Sequence, residues 1–399
     1  MFVVAYSDIL TQNRCKRQTM NSQKRIIIDD AVPYAKEIFS HLGDVITLPG
    51  RDINQSILKD ANALIVRSRT QVNQALLEKT NIEFVGSTVV GLDHVDQAYL
   101  SAQGIHFYSA QGCNANSVAE FIITALFEAA ETFDFHLTNK TLGIIGVGNV
   151  GSRLYDKAKK LGIKCLLNDP PKLEQNPELA EKHPYTSLEA CLKADFITVH
   201  TPLTKTGKHA TFNLISAQHL QTLTDKQIVI NAARGGIINE QAWIKTKTFA
   251  NIIDCWENEP YINEALYKTA WIATPHIAGH SLDAKVAGSS MVYEALCQYW
   301  NQPVNNQWHT ALPAQPETLA LNLVGGTQKG LNHLFNSTHN VLDDDKAIRA
   351  NSIVTVHEKY EHYRRHFPIY REWHQHRFEP SSNIKLNEQL IALGFTPQP

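Results

Sequence analysis

The stretch LGIIGVGNVGSRLYDKAKKLGIKCLLNDP, from Leu142 to Pro170, reads as a short apolar strand, a glycine turn, an amphipathic helix, a second apolar strand and an acid. Its glycines, Gly146, Gly148 and Gly151, fall in the pattern GxGxxG. That pattern alone recurs in many turns, but the strand before it, the helix after it and the closing acid together specify a dinucleotide site. Gly146 permits the tight turn, Gly148 lets the backbone approach a pyrophosphate, and Gly151 lets the helix pack close to the sheet. With Asn149 and Val150 they form the helix start, whose free N–H groups and positive dipole end suit phosphate. Asp169 stands 18 positions after Gly151, where a carboxylate accepts from both ribose hydroxyls and repels a 2′-phosphate. The expected cofactor is therefore NAD, not NADP.

The bulk numbers frame this unit. At 399 residues the chain is too long for one ordinary core and calls for two or three domains. It is 43% hydrophobic and 19% charged with a formal net charge of −2, which points away from nucleic acid as its main partner. Six cysteines stand singly, with no CxxC pair, so a reducing cytoplasm is the expected location and no metal site is implied. No stretch approaches the ~20 apolar residues that span a bilayer, so no membrane association is expected. Residues 1–24 put a short apolar start before basic residues, the reverse of a secretory signal. They read as a disordered extension.

From residue 25 to about 115, strands such as RIIID, DVITL, ALIV and HFYS alternate with helical patterns, predicting a small parallel α/β domain. A long apolar helix from Val118 to Ala130 follows, with Asn116-Ser117 as its capping signal. The dinucleotide domain is expected over residues 116–280, with further strands in ADFITVH, QIVINAA, NIIDCW and AWIATPH. A helix over 281–300 is expected to return to the first domain, leaving a hinged cleft. Residues 301–399 open with Pro-containing polar sequence and read as a third, α/β-like domain.

Three loops after strands of the dinucleotide domain carry reactive groups: Arg234 in NAARGG, Glu259 in IIDCWENEP, and His276 in TPHIAG. In open α/β sheets, ligands collect at the carboxyl ends of strands. Oxidising a secondary alcohol needs a base for the hydroxyl proton, a cation for a neighbouring carboxylate, and a group that tunes the base. His276, Arg234 and Glu259 supply these three. Across the expected cleft, Arg67 and Ser68 follow the strand ALIV, and a fork-shaped Arg suits a phosphate or carboxylate.

Together the GxGxxG unit, His200-Thr201-Pro202, NAARGG, IIDCWENEP and TPHIAG resemble the D-2-hydroxyacid dehydrogenase family over residues 25–300. The resemblance implies a Rossmann doubly wound sheet, a second flavodoxin-like substrate domain, and Arg234, Glu259 and His276 as the catalytic set. It also implies Asp254 as holder of the nicotinamide carboxamide, with Thr201 and Gly279 along the cofactor. GLDHVD, GCNANSVAE, VRSRT and the tail ending HYRRHFPIYREW are similar to one branch of that family. That branch oxidises 4-phospho-D-erythronate to its 2-oxo acid in vitamin B6 synthesis, and its C-terminal domain forms a homodimer. Two positions depart from the family pattern. In the substrate loop that includes Gly91, Val89 replaces a hydroxyl residue, and after HIAG the usual Tyr is His280. Phosphoglycerate oxidation remains open as an alternative, as does a different class, an NAD-sensing corepressor, which would keep the dinucleotide site without turnover.

The tail offers two misleading patterns. His357-Glu358 to His362 looks like a zinc-protease helix, but the second His stands five positions on, not four, and neither it nor His366, His374 and His376 predicts a metal. The interleaved aromatics and arginines of KYEHYRRHFPIYREWHQHRF suggest a packed dimer face in preference to a nucleic-acid platform.

Overall fold

The computed structural model describes residues 23–399. The chain divides into two compact units, one of residues up to 110 with 288–312, the other of 111–287 with 313–399. The extension expected over residues 1–24 lies, up to residue 22, outside the described residues. Lys24 is already docked: its carbonyl accepts from the Asp44 N–H at 2.7 Å and its ammonium meets Glu83.

The first unit is built on a parallel sheet whose three central strands are apolar runs covered on both faces, while its two edge strands are partly exposed. Its strands are β1 (Arg25–Asp29), β2 (Asp44–Leu48), β3 (Ala63–Val66), β4 (Phe84–Ser87) and β5 (His106–Ser109). All pair in parallel, in the order β2-β1-β3-β4-β5. This is the flavodoxin-like order, with its crevice between β1 and β3.

The second unit carries β6 (Thr141–Ile145), β7 (Lys164–Asn168), β8 (Phe196–Val199), β9 (Ile228–Asn231), β10 (Ala250–Ile253) and β11 (Ile272–Ala273). Their order is β7-β6-β8-β9-β10-β11, all parallel. A Rossmann sheet would place one more strand beyond β7. Here it is reduced to a single parallel bridge, Leu167 to Tyr185. The winding reverses between β6 and β8, and that switch point is where a dinucleotide crosses the sheet.

The long helix runs from Ala115 to Thr132, starting earlier than its capping signal suggested. Asn116 and Ser117 lie inside it because their side chains have tertiary partners. The Asn116 amide donates to Glu120 and Glu372, at 2.8 and 2.6 Å, and the Ser117 hydroxyl donates to the Ala278 carbonyl at 2.8 Å.

The expectation of a separate third domain is corrected by packing. Helices Thr327–Thr338, Val341–Ala350, Val356–Arg365 and Ile384–Leu393 pack into the two apolar cores of the dinucleotide sheet, the second of which takes Ile348 and Tyr360. Phe335 stacks on Trp373 at 4.4 Å and meets Phe127 of the long helix edge-on at 5.0 Å. Burying side chains of this size contributes roughly 1.5–3 kcal/mol each, so the tail gains its stability from the unit it joins. For the same reason Tyr360, Trp373 and Phe378, read as part of a dimer face, are buried within the chain. Among the described residues, no helix is long and apolar enough to cross a membrane.

Candidate active site

The switch point is shaped by backbone contact. Gly146 has φ +90°, and a Cβ there would stand 2.7 Å from the His200 carbonyl carbon and 2.8 Å from the Thr201 nitrogen. The ends of β6 and β8 can approach this closely only with glycine between them. Gly148 differs, since a Cβ on it would meet nothing within 4 Å. Its missing side chain leaves open the space before the Asn149–Lys160 helix, whose first turn no side chain caps. Beside that space the Thr201 hydroxyl is buried with no hydrogen-bond partner among the described residues. An open approach, an uncapped helix start and an unsatisfied hydroxyl fit a dinucleotide lying across the crevice.

Asp169 follows β7 and is half-buried. One carboxylate oxygen accepts from the Val147 N–H at 2.8 Å, and the other accepts from the Lys172 N–H at 3.1 Å, capping the helix Pro170–Gln175. The Lys172 ammonium returns to the Val147 carbonyl at 2.6 Å. The acid thus ties the glycine loop to the end of β7. Two bonds leave about half of a carboxylate's acceptor positions for ribose hydroxyls.

Arg234, Glu259 and His276 come from the loops after β9, β10 and β11. Asn231, at the end of β9, sets the first loop: its amide donates to the carbonyls of Arg234 and Cys255, at 3.0 and 3.1 Å. Gly235 lets this loop press against Trp256, whose carbonyl any Cβ would strike. The half-buried Arg234 guanidinium donates to the Ala233 carbonyl at 2.7 Å, its one acceptor among the described residues, so most of its five donors remain for a ligand.

The His276 Nδ1–H donates to Glu259, 2.9 Å from Oε2 and 3.2 Å from Oε1. That bond assigns the proton to Nδ1 and leaves Nε2 with a lone pair that can accept a proton. Burial works to raise the Glu259 carboxyl, but the charge and hydrogen bond of His276, the Trp256 N–H and the Tyr360 hydroxyl outweigh it and hold it at about 2. Glu259 is therefore a carboxylate throughout the working pH range and exchanges no proton there.

His276 has φ +56°, a backbone conformation a non-glycine residue holds only where its surroundings impose it. Asp254 imposes it. Its carbonyl accepts from the His276 N–H at 2.7 Å, and its buried carboxylate accepts from the Ile277 N–H and Thr274 hydroxyl, both at 2.7 Å, and from the Ala278 N–H at 3.2 Å. Burial raises the Asp254 carboxyl despite the opposing pull of His276 and these donors. Among the described residues, Cys255, Glu259 and His276 offer ligand atoms within 4.8 Å of one another. Burial pushes the Cys255 thiol well above its usual value, and His276 Nδ1 is already committed to Glu259, so this set is a poor metal site.

The remaining expected contacts occupy other edges. Gly279 packs against Asn114, and half-exposed His280 meets Phe367 of the tail edge-on at 6.2 Å. In the first unit, Arg67 and Ser68 follow β3, while Val89 and Gly91 follow its neighbour β4, so all four lie at one carboxyl edge. Arg67 donates to the Ala31 carbonyl at 2.9 Å. The Val89 carbonyl accepts from the hydroxyls of Ser87 and Ser109, at 3.3 and 3.2 Å, so this position is fixed through its backbone.

Sequence reasoning missed Asn231, Thr274, Tyr360 and Tyr370. Asn231 had a signal, a polar residue closing an apolar strand just before the arginine loop. The two tyrosines had none, because about a hundred residues separate each from the loop it meets.

A family model described as the NAD binding domain of D-isomer specific 2-hydroxyacid dehydrogenases matches residues 120–278. The erythronate-4-phosphate dehydrogenase of Hydrogenovibrio crunogenus is 57% identical over 376 residues, covering 94% of this chain and 99% of that protein. The chain belongs to the erythronate-4-phosphate dehydrogenase family. The Ruthia magnifica member is 46% identical over 88% of this chain and 96% of its own. Among solved structures, the D-lactate dehydrogenase of Aquifex aeolicus, complexed with NAD and lactic acid, aligns with a TM-score of 0.55 at 22% identity, covering 70% of this chain and 96% of that one. The NAD-dependent formate dehydrogenase of Staphylococcus aureus aligns at 0.54 and 21%, covering 71% and 97%. These two likenesses support the fold. The protein is an NAD-dependent dehydrogenase of the D-2-hydroxyacid class.

Proposed function

We propose that the protein oxidises 4-phospho-D-erythronate at C2 to (R)-3-hydroxy-2-oxo-4-phosphooxybutanoate, a step in the synthesis of pyridoxal 5′-phosphate. The observation that carries this reading is the Glu259–His276 pair beside Arg234 on consecutive strand ends of an NAD-binding domain, in a chain 57% identical to an erythronate-4-phosphate dehydrogenase.

When bound, NAD supplies the two-electron acceptor for the hydrogen on C2. Gly146, Gly148, Asn149, Val150 and Gly151 receive its pyrophosphate, Asp169 its adenosine ribose, and Thr201, Asp254 and Gly279 border the nicotinamide half. Arg234 holds the substrate's C1 carboxylate in a fork of N–H donors and polarises the C2 oxygen. The His276 Nε2 takes the C2 hydroxyl proton as the carbonyl forms. Glu259, fixed as an anion, stabilises the imidazolium that results and keeps the ring in the required tautomer. Arg67 and Ser68 take the phosphate, with the Val89 and Gly91 backbone and the His280 side chain completing the substrate contacts. His280 keeps a hydrogen-bonding group where the family has Tyr, while Val89 offers only its backbone. The protein works as a cytoplasmic homodimer in this reading.

The test is NADH formation with 4-phosphoerythronate against 3-phosphoglycerate. Faster turnover of the four-carbon acid is the expected result, and equal or better use of 3-phosphoglycerate refutes the substrate assignment.

A further inference from the structure

We propose that Glu240, on the short helix Glu240–Trp243 after the Arg234 loop, is a positioning residue whose side chain accepts from the Glu257 N–H and so fixes the turn that aims Glu259 at His276. The inference rests on the roles of Glu259 and His276 given above and adds to them a residue from the neighbouring loop.

The turn from Cys255 to Glu259 does not hold itself. Asn258 within it has φ +58°, a left-handed conformation that a non-glycine residue keeps only where its surroundings impose it. Three bonds from outside the turn do so. The Asn231 amide donates to the Cys255 carbonyl at 3.1 Å, the Trp256 indole N–H donates to the Thr274 carbonyl at 2.9 Å, and the Glu257 N–H donates to Glu240 Oε1 at 2.7 Å. The first two fix the entrance of the turn. The third is the last before Asn258 and Glu259, so it decides where the Glu259 side chain starts.

Glu240 suits this contact and no other. It is 4% exposed, and a carboxyl that deep is costly unless a donor uses it. Its own helix does not need it as a cap, since the Asn239 side chain already accepts from the Ala242 N–H at 2.9 Å. Burial raises the Glu240 carboxyl to about 7; the Glu257 N–H opposes that rise, and the charges of Glu257 and Glu259 add to it. With or without its proton the group keeps an oxygen that accepts, so the bond survives across neutrality. The backbones beside it are in contact as well: a Cβ on Gly235 would strike the Trp256 carbonyl and the Glu257 nitrogen. Residues 231–240 thus carry Arg234 and hold the Glu259 turn from both ends, Asn231 on Cys255 and Glu240 on Glu257. The cation for the substrate and the partner of the imidazole are set in register by one segment.

Glu240→Met keeps most of the side-chain volume and removes the acceptor, whereas Glu240→Gln keeps the acceptor without the charge. With 4-phosphoerythronate, kcat of Glu240→Met should fall about tenfold with KM for NAD unchanged, and that of Glu240→Gln should return to within about twofold of wild type. A Met variant with wild-type kcat, or one whose KM for NAD rises as kcat falls, shows that Glu240 only packs the domain. Equal losses in the two variants assign the effect to its charge. Each of these results overturns the proposal. Amide hydrogen exchange reads the bond without substrate: the Glu257 amide should be protected in the wild type and should exchange about tenfold faster in Glu240→Met than in Glu240→Gln. An unprotected Glu257 amide in the wild type refutes the bond even if Glu240→Met folds poorly. Should the wild type form no NADH from 4-phosphoerythronate, the substrate assignment fails, while the exchange of that amide still decides whether Glu240 holds the turn.

Discussion

Replacing Glu259 by Gln removes one charge and almost no volume, so its effect on turnover measures what the carboxylate does for His276. Here the carboxyl stands at about 2, against 4.5 in a free chain. At about 1.4 kcal/mol per pH unit, that difference corresponds to about 3 kcal/mol favouring the anion. Burial opposes it, so the favourable contacts are at least that large together, and the charge of His276 is the first of them. Coulombic attraction is mutual: what the imidazolium does for Glu259, Glu259 does for the imidazolium formed when the substrate proton arrives. Glu259→Gln removes from the proton-transfer step the part of that attraction which belongs to the imidazolium, and turnover should fall by about two orders of magnitude, the lower end for a well-placed acid–base group. Steady-state NADH formation by Glu259→Gln against wild type measures this, with KM for NAD as the control. A variant within threefold of wild-type kcat would refute the assignment. The pH dependence has a definite sign, since the carboxyl is depressed in the folded chain. Its contribution to stability is present above about 4.5 and is lost as pH falls toward about 2, so the thermal stability of Glu259→Gln should vary less across that window than that of wild type.

His276→Asn should keep NAD affinity and lose about two to four orders of magnitude in turnover; a kinetically normal variant places the base elsewhere. Asp169→Ala should weaken NAD and relax the bias against NADP, with a lower melting temperature because the Val147 N–H loses its acceptor; unchanged cofactor preference in competition assays refutes the ribose role. Truncation after Trp300 strips Phe335 and Trp373 from the Ala115–Thr132 helix side of the core, so circular dichroism should show loss of cooperative unfolding and sedimentation should show aggregation. A cooperatively folded dimer of the first 300 residues would contradict both the shared core and the proposal that the dimer depends on the tail.

The dinucleotide unit was legible because its signals are local. Strand, glycine turn, helix and acid follow within one stretch of chain, and β6, the Asn149–Lys160 helix and β7 form where the apolar periods and glycines place them. Arg234, Glu259 and His276 were legible for a related reason. Each follows a strand, and parallel strands deliver the residues after them to a common edge. The structure decided what depends on distant contacts. Asn116 reads as a cap, yet it serves Glu372 from inside the helix, because a partner 256 positions away outcompetes the local turn. Asp254 could be expected to hold a cofactor, but the strained turn that its carboxylate imposes on His276 is visible only in the folded loop. The aromatic tail carried a composition signal without a direction. Its rings could cover another subunit or this one, and no periodicity distinguishes the two. Burial of Tyr360 behind Trp256 and of Trp373 against Phe335 settles that for these side chains, since apolar surface gains the same free energy from any cover and only the tertiary arrangement determines which cover it finds.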